Sequence, residues 1–270
     1  MKSPSLLIST ETLSTWDPCN YCVIETDRTP EYFEAGHIHG SVFWPMTALF
    51  TPEFRLRTEP PYLAALLSEA GITPETTIVC AHNGEPAAAG WSAWLFWILT
   101  SFGHTKTVVL DGGVPKWRSE GRPIETAATA KQPTNYPVPV AFGDGQRASL
   151  DAVKGAVAAA ILDARSEEEY RGEYYFDAPP QEGQRAGRIP NALHLPYFDL
   201  IRGDGTYRSP EELHAVCNEL GIEAGQTAFT YCAVGIRSSL VWFGLKHLLH
   251  FSDVRNYDGS WYEWSRSGLE

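Results

Sequence analysis

The sequence of 270 residues has no excess of basic residues, no even set of cysteines and no long uninterrupted apolar run. Its formal charge of -12 argues against a surface that holds nucleic acid or anionic lipid. Five cysteines are an odd number, which argues against a disulfide framework and leaves at least one thiol free. The most apolar segment, residues 87–103, is shorter than the ~20 residues that cross a bilayer, and it predicts a buried helix.

The amino terminus and its cysteine pair indicate no special chemistry. The segment MKSPSLLISTETLSTWD has too short an apolar stretch for a signal peptide and is not followed by a small-residue cleavage pattern. We therefore expect a cytoplasmic protein with neither nucleic acid nor a membrane as partner. Cys19 and Cys22 form a C-x-x-C pair, but no second pair of cysteines or histidines completes a zinc site, and packing is the favoured interpretation.

The sequence repeats itself at an offset close to 150 residues. AGHIHGSVFWP (35–45) and AGRIPNALHLP (186–196) share A-G-x-I and a closing proline. VVLDGGVPKW and VRNYDGSWYEW share D-G followed by four residues and tryptophan, and EAGITPETTIV and ELGIEAGQTAF share a Gly-Ile pair before a short apolar run. Three pairs in the same order make a chance match improbable and indicate two related halves.

Each half alternates strand and helix signals, which predicts an α/β fold. The expected architecture is two similar domains, each a mainly parallel sheet with helices on both faces. Residues 125–146 are rich in alanine, threonine and proline without a regular period, so they predict a linker. The expected boundaries are residues 1–124 for the first domain, a non-catalytic copy, and residues 147–270 for the second, a catalytic one.

The two halves differ chemically at one strand-to-helix junction. Eleven residues after Gly221 lies Cys232, whereas eleven residues after Gly71 lies His82, so only the second copy has a thiol there. Cys80 falls within the preceding strand, where alternation favours burial. We expect His82 to be an ordinary surface histidine, because no nucleophile lies near it in sequence.

The segment TYCAVGIRSSL around Cys232 has the composition of an anion-binding turn. Small residues after a strand allow successive backbone N–H groups to point inward, and the following helix adds the positive end of its dipole. A thiolate is favoured at the centre of such a turn. Gly235 allows backbone conformations closed to other residues, while Arg237 is either a second cation for an anionic substrate or a surface charge.

With these residues the chain resembles the tandem rhodanese-type sulfurtransferases, the family of thiosulfate and 3-mercaptopyruvate sulfurtransferases. The resemblance rests on GHIHGS, VVLDGGVPKWRSEGRP, LDARSEEEYRG, GRIPNA, YCAVGIRSS and VRNYDGSWYEW, in that order. It implies that Cys232 is the catalytic nucleophile and that the arginine of the D-A-R segment, Arg165, helps to bind the donor. The other candidate donor-binding residues are Ala233, Val234, Gly235, Ile236, Arg237 and Arg188, with Arg185 as a weaker candidate.

The resemblance implies a two-step transfer without a metal or an organic cofactor. The Cys232 thiolate takes a sulfur atom from a small anionic donor as a persulfide, then passes it to cyanide or a thiol, which includes a protein thiol. The loop is similar to the C-x-x-G-x-R-S-S form of bacterial thiosulfate sulfurtransferases, which favours thiosulfate, and 3-mercaptopyruvate is the alternative.

Two other interpretations of the junction stay open. A cysteine phosphatase also binds an anion in a loop that ends in arginine, but its loop is C-x5-R, whereas Cys232 and Arg237 form C-x4-R. A non-catalytic binding module is the second alternative, and the first half, with His82 in place of the thiol, is an example within the same chain. For Arg165, an ion pair with the glutamates of SEEEY is the structural alternative to donor binding.

Overall fold

The computed structural model describes residues 5–127 and 129–269. The chain forms two compact units, one of residues up to Gly143 with Gly203–Thr206, the other of Asp144–Arg202 with the residues from Tyr207 onward. The proline-containing segment before Gly143 lies along the first unit, where the N–H groups of Thr134 and Tyr136 donate to Ser68. The boundaries 1–124, 125–146 and 147–270 stay predictions.

The first unit is built on a five-stranded sheet in which every strand pair is parallel. The strand order is β1-β5-β4-β2-β3. The strands are β1 (Leu7–Ile8), β2 (Tyr21–Asp27), β3 (Val42–Pro45), β4 (Thr77–His82) and β5 (Thr107–Leu110). The helices are α1 (Thr10–Ser14), α2 (Glu31–Ala35), α3 (Met46–Leu49), α4 (Pro60–Glu69), α5 (Gly90–Ser101) and α6 (Gly113–Ser119).

The second unit repeats this plan with a four-stranded parallel sheet in the order β7-β6-β8-β9. The strands are β6 (Ala160–Asp163), β7 (Leu193–His194), β8 (Ala228–Tyr231) and β9 (Val254–Asn256). The helices are α7 (Leu150–Lys154), α8 (Glu167–Arg171), α9 (Pro210–Glu219), α10 (Ile236–Phe243), which continues as one π-helical turn over Gly244–Leu248, and α11 (Ser260–Trp264).

Both faces of the central strands are covered. Successive side chains of a strand point to opposite faces, yet every residue of β6 and β8 is buried, as are five consecutive residues in each of β2 and β4. A strand buried on both sides needs a layer on each face of its sheet. The predicted fold class, two α/β domains with parallel sheets and helices, is confirmed.

The apolar segment 87–103 forms the buried helix that the sequence predicted. Eleven of the 12 residues of α5 are buried, among them Trp94 and Trp97, which are completely inaccessible to solvent. A helix that is apolar all round must be covered on all sides, and here the first unit supplies that cover. Over residues 5–127 and 129–269, no helix is both long and apolar enough to pass through a bilayer.

Candidate active site

The thiol of Cys232 lies at the point where β8 ends and α10 begins. Cys232 directly follows Tyr231, the last residue of β8, and the loop turns into α10 through Gly235. The N–H of Gly235 donates to the Cys232 Sγ atom at 3.1 Å. Cys232 is only 1% exposed, so its sulfur sits within the loop rather than on the surface. This is the arrangement of an inward N–H group and a helix start that stabilises an anion.

Glycine is required at position 235 by both backbone conformation and space. Its φ is +92°, and an added Cβ atom would lie 2.8 Å from the Cα atom of Asp258. Asp258 itself is buried and accepts two hydrogen bonds from Arg147, at 2.7 and 2.9 Å. Burial raises the pKa of Asp258, and Arg147 works in the opposite direction. The loop therefore packs against Asp258, the first residue of the D-G motif in the second half of the sequence.

A buried polar network holds the far side of the loop. The carbonyl of Gly235 accepts from the Ser239 hydroxyl at 2.7 Å and from the Asn256 side-chain amide at 3.1 Å. The Asn256 oxygen in turn accepts from Ser238 at 2.7 Å and from Thr230 at 3.3 Å. All four side chains are completely buried. Satisfied buried polar groups of this kind fix one geometry, because leaving any of them unpaired is costly.

The backbone of Cys232 is held by the start of α11. Its N–H donates to the Ser260 hydroxyl at 3.0 Å, and its carbonyl accepts from the N–H of Trp261 at 3.0 Å. The Tyr262 N–H donates to the carbonyl of Ala233, also at 3.0 Å. The loop is thus fixed on both sides, by the polar network below α10 and by the backbone of α11.

Arg237 is held in the first turn of α10 by a carboxylate that the sequence analysis did not single out. Its Nη1 and Nη2 atoms donate to the two oxygens of Glu169 at 2.6 and 2.9 Å. The Arg237 side chain is 25% exposed, whereas that of Glu169 is 2% exposed. Although burial disfavours the charged form, Glu169 holds the pKa of Arg237 above its usual range. Arg237 is therefore a fixed, charged group that is partly open to solvent.

Arg165 lies in a different environment from the one expected for a donor-binding residue. It is completely buried, and it donates to Asp163 through Nε at 2.8 Å and through Nη2 at 2.6 Å, and to the Gly187 carbonyl at 2.7 Å. Its guanidinium also lies 5.1 Å from the ring centre of Trp261. The structural alternative, an ion pair, is thus present, with Asp163 as partner. Donor binding by Arg165 stays a prediction, and its burial argues against direct contact.

The remaining predicted residues divide into two groups. Ala233 and Ile236 are buried within the loop, and Val234 is partly exposed. Arg188 is exposed, donates to the Tyr170 carbonyl at 3.3 Å and lies 4.5 Å over the Tyr170 ring. Arg185 donates to the carbonyl of Leu269 and lies 5.7 Å over Trp261. Their roles in donor binding stay predictions.

Glu169 and Tyr197, two side chains that interact with Arg237, were not identified from the sequence. Glu169 closes a capping box with Ser166, and the S-x-x-E signature that marks such a box is visible in SEEEY. Tyr197, in a short 3-10 helix, lies near enough to Arg237 and Cys232 for their charges to act on its phenol. Burial is the main cause that raises the pKa of Tyr197. No sequence pattern marks Tyr197, since it is one of 12 tyrosines.

His82 occupies the junction of the first unit, and the prediction that it lies on the surface is wrong. It is completely buried at the end of β4, its Nδ1 is 2.9 Å from the Ser92 hydroxyl, and burial lowers its pKa to about 3. The space comes from Gly113 in the D-G segment, because an added Cβ atom there would overlap the imidazole. His82 is a neutral core side chain.

The polar residues beside the two junctions also differ. In the first unit Glu25 accepts from the N–H of Ile38 at 2.9 Å, whereas in the second unit Asp163 reaches the corresponding Ile189 through the Tyr231 hydroxyl. Burial raises the pKa of Glu25 to about 7. The Gly36 carbonyl accepts from Arg118 at 2.7 Å, as the Gly187 carbonyl accepts from Arg165. Each unit thus holds its A-G-x-I segment through a buried carboxyl group and an arginine.

The other cysteines lie outside this arrangement. Cys19 is exposed, and burial raises the pKa values of Cys22, Cys80 and Cys217, that of Cys217 to about 11. A thiol with a raised pKa is a poor nucleophile near neutral pH. Within the described ranges, no three side chains of histidine, cysteine, aspartate or glutamate are grouped as metal ligands would be.

Comparison with known proteins assigns the chain to a family. The sequence pattern of the rhodanese-like domain matches twice, at residues 17–120 and 147–267. The chain is 36% identical to the "Sulfur carrier protein TtuD" of Thermus thermophilus, over 97% of this chain and 94% of that protein. It is 36% identical to the "Putative thiosulfate sulfurtransferase SseA" of Mycobacterium bovis, over 91% of this chain and 82% of that protein.

Solved structures agree with this assignment. The anaerobic ergothioneine biosynthesis enzyme from Chlorobium limicola, in complex with trimethyl histidine, matches with a TM-score of 0.82 and 26% identity, over 96% of this chain and 68% of that one. A variant of EanB with ergothioneine covalently linked to a persulfide cysteine matches with a TM-score of 0.85 and 25% identity, over 97% and 68%. The chain therefore belongs to the rhodanese family, as a sulfurtransferase with two rhodanese-like domains.

Proposed function

We propose that the chain transfers a sulfane sulfur from thiosulfate to cyanide or a thiol through a persulfide on Cys232. The observation that carries the proposal is the 3.1 Å hydrogen bond from the Gly235 N–H to the Cys232 Sγ atom, in a loop that opens α10. A backbone donor at this distance stabilises a thiolate more than a thiol, because the hydrogen bond to an anion is the stronger one.

The first step is a displacement at the outer sulfur of thiosulfate. The Cys232 thiolate attacks that sulfur, a new S–S bond forms, the old S–S bond breaks, and sulfite leaves with its electron pair. Gly235 then faces a persulfide anion in place of the thiolate. Because one N–H group serves both anions, the loop needs little rearrangement during the step.

The second step returns the enzyme to its starting state. Cyanide attacks the outer sulfur of the persulfide, thiocyanate leaves, and Cys232 is again a thiolate. A thiolate acceptor reacts in the same way and becomes a persulfide itself. The name "Sulfur carrier protein" of the relative from Thermus thermophilus supports a protein thiol among the acceptors. We retain the cytoplasm as the proposed compartment.

Arg237 is the proposed binding group for the donor's negative charge. Its side chain is partly exposed and remains charged. Both Arg237 and Cys232 are close enough for their charges to act on the Tyr197 phenol. A guanidinium has five N–H donors, so the two hydrogen bonds to Glu169 leave others for a sulfonate oxygen. The loop residues Ala233, Val234 and Ile236 would then surround the sulfur atom being transferred.

3-Mercaptopyruvate is the second candidate donor, and one observation favours it. Ala233 and Val234 are apolar, and Val234 is partly exposed, which suits the carbon chain of this donor better than the oxygens of thiosulfate. With 3-mercaptopyruvate the carbon–sulfur bond breaks, and the leaving group is the enolate of pyruvate, which takes up a proton, instead of sulfite. The two donors are separated by kcat/KM measured with cyanide as common acceptor, and a larger value for thiosulfate supports the proposal.

The proposal is tested by thiocyanate formation in the wild-type protein and in two cysteine variants. Cys232→Ser should abolish activity, because the serine hydroxyl does not ionise at neutral pH. Cys217→Ser is the matched control in the same unit and should keep wild-type kcat/KM. Activity that survives in Cys232→Ser, or that is absent from the wild type with both donors, would overturn the proposal.

A further inference from the structure

We infer that Glu169 is a positioning residue that fixes the donor-binding orientation of Arg237, an assignment that rests on the proposed function. Its carboxylate receives two hydrogen bonds from the guanidinium, at 2.6 and 2.9 Å, across 68 residues of sequence. A bidentate pair of this kind restrains both the position and the plane of the guanidinium, which a single hydrogen bond does not. The remaining N–H groups of the Arg237 guanidinium therefore have one fixed orientation.

Glu169 is itself held firmly enough to serve as an anchor. Its Oε2 atom also accepts from the N–H of Ser166 at 3.2 Å, and the Ser166 hydroxyl accepts from the N–H of Glu169 at 3.3 Å. The carboxylate is at the start of α8, where the helix dipole favours a negative charge. With 2% of its side chain exposed, Glu169 lies under Arg237 rather than beside it in solvent.

The position of the pair relative to the thiol supports a functional role. The Tyr197 phenol lies within electrostatic range of Cys232, Arg237 and Glu169. The positive charge of Arg237 is also within range of Cys232 itself. An ion pair that only stabilised α8 could be anywhere along the helix, whereas this one orients a cation whose charge acts on the proposed nucleophile.

The first unit provides an internal comparison. Counting from His82 as from Cys232, the position of Arg237 is taken by Ala87. Counting from Glu25 as from Asp163, the position of Glu169 is taken by Glu31, which is exposed at the start of α2. The carboxylate is thus buried only in the unit whose junction has both a thiol and an arginine. This is the pattern expected if burial of Glu169 depends on its pairing with Arg237.

The test is a double-mutant cycle on the steady-state kinetics of the full chain, with thiosulfate as donor and cyanide as acceptor. Glu169→Gln should raise the KM for thiosulfate about tenfold, because a neutral amide cannot accept both hydrogen bonds from Arg237. Glu169→Asp should restore part of the loss. In the Arg237→Ala background, Glu169→Gln should change the KM no further, because the group that it positions is gone.

Ser209→Ala is the control for a merely structural role. It removes the hydroxyl from the equivalent capping box of α9, formed by Ser209 and Glu212, and leaves Glu169 and Arg237 unchanged, so it should lower the Tm without raising the KM for thiosulfate. An equal rise of KM in Ser209→Ala, or an unchanged KM in Glu169→Gln, would overturn the inference.

The failure of the inference can be told from the failure of the proposed function by one further measurement. Wild-type protein is mixed with thiosulfate alone, and the sulfur gained is determined by mass spectrometry. A wild type that gains sulfur while Glu169→Gln keeps the wild-type KM overturns the inference only. A wild type that gains no sulfur from thiosulfate overturns the proposed function, and the inference with it.

Discussion

The two strand-to-helix junctions of this chain share one strand register but differ in the side chains that hold the loop after the strand. In the second unit Thr230 pairs with Asn256 across β8 and β9, and in the first Cys80 pairs with Val109 across β4 and β5. The polar set of the second junction is Thr230, Ser238, Ser239, Asn256 and Ser260, and the corresponding residues of the first are Cys80, Ala88, Ala89, Val109 and Gly113.

This difference separates what the fold requires from what the thiol requires. The parallel sheet and the buried strands are present in both units, so neither depends on the polar network. Burying five polar side chains has a cost unless all are satisfied, and the first unit avoids that cost with apolar residues. The network of the second unit is therefore best explained by the loop that it holds around Cys232.

The largest expected effect comes from the glycine that turns the loop. The residue at the same place in the first unit, Glu85, has an ordinary φ of -67°, whereas Gly235 has a φ of +92° against the backbone of Asp258. Gly235→Ala should slow persulfide formation about 100-fold and destabilise the protein by about 1–3 kcal/mol. Single-turnover kinetics with thiosulfate and thermal unfolding measure the two effects.

Gly221→Ala is the matched control for the backbone conformation. Gly221 also has a positive φ, +67°, but an added Cβ atom there would meet nothing within 4 Å. This variant should lose stability without loss of rate. If Gly235→Ala forms the persulfide as fast as Gly221→Ala does, the left-handed conformation of residue 235 is not required for sulfur transfer.

The next effect concerns Ser260, which replaces Gly113 of the first unit. Ser260→Ala removes the acceptor for the N–H of Cys232 and leaves that group buried and unpaired. We expect a loss of about 1–3 kcal/mol in the free energy of unfolding and a roughly tenfold slower persulfide formation. Ser149→Ala, which removes only the amino-terminal cap of α7, should reduce stability but not the rate. Equal rates in all three proteins would contradict the role of Ser260.

A third effect is the pH dependence that buried Glu25 of the first unit contributes to stability. The pKa of Glu25 is raised by burial from 4.5 to about 7, so between these pH values the folded protein holds a proton that the unfolded chain releases. The contribution of Glu25 to stability should therefore fall as pH rises through that window, by at most about 1.4 kcal/mol per pH unit, whereas buried His82 contributes in the opposite direction. In urea unfolding, the stability of Glu25→Gln relative to the wild type should thus rise with pH across the window, while that of the exposed Glu69→Gln should not. An unchanged slope in Glu25→Gln would contradict the buried, protonated state.

The smallest effect is expected from placing a thiol in the first junction. His82→Cys, made in a Cys232→Ser background, should gain no sulfur from thiosulfate, because Glu85 and Ala87 replace the glycine and the arginine of the second loop. Mass spectrometry of the treated protein measures the result. A persulfide on the new cysteine would show that the strand end alone is sufficient and that the network is not required.

Much of the fold could be predicted because the two halves of the sequence have the same motifs in the same order. The A-G-x-I and D-G segments and the Gly-Ile pairs recur at nearly constant spacing, and together they locate the junction of Cys232 and His82. The buried helix α5 was also predictable, since a segment apolar on all sides has to be covered. These features depend on local pattern, which a single sequence records.

The environments of the charged and polar side chains were less predictable, because they depend on distant residues. His82 is buried only because Gly113 leaves room for its ring, 31 positions later in the sequence numbering. The sequence predicts the glutamates of SEEEY as the alternative partners of Arg165, but Asp163 pairs with Arg165, and Glu169 pairs with Arg237 instead. Which carboxylate meets which arginine depends on where the fold places α8 relative to α10, and no spacing rule predicts it.

The most direct test of the central claim is to map the sulfur gained by the intact protein. After a single exposure to thiosulfate, the protein is digested, and the peptides that contain Cys19, Cys22, Cys80, Cys217 and Cys232 are compared by mass spectrometry. The account predicts one added sulfur atom on the Cys232 peptide alone, released again by cyanide as thiocyanate. Sulfur on any other cysteine at equal occupancy, or none on Cys232, would contradict it.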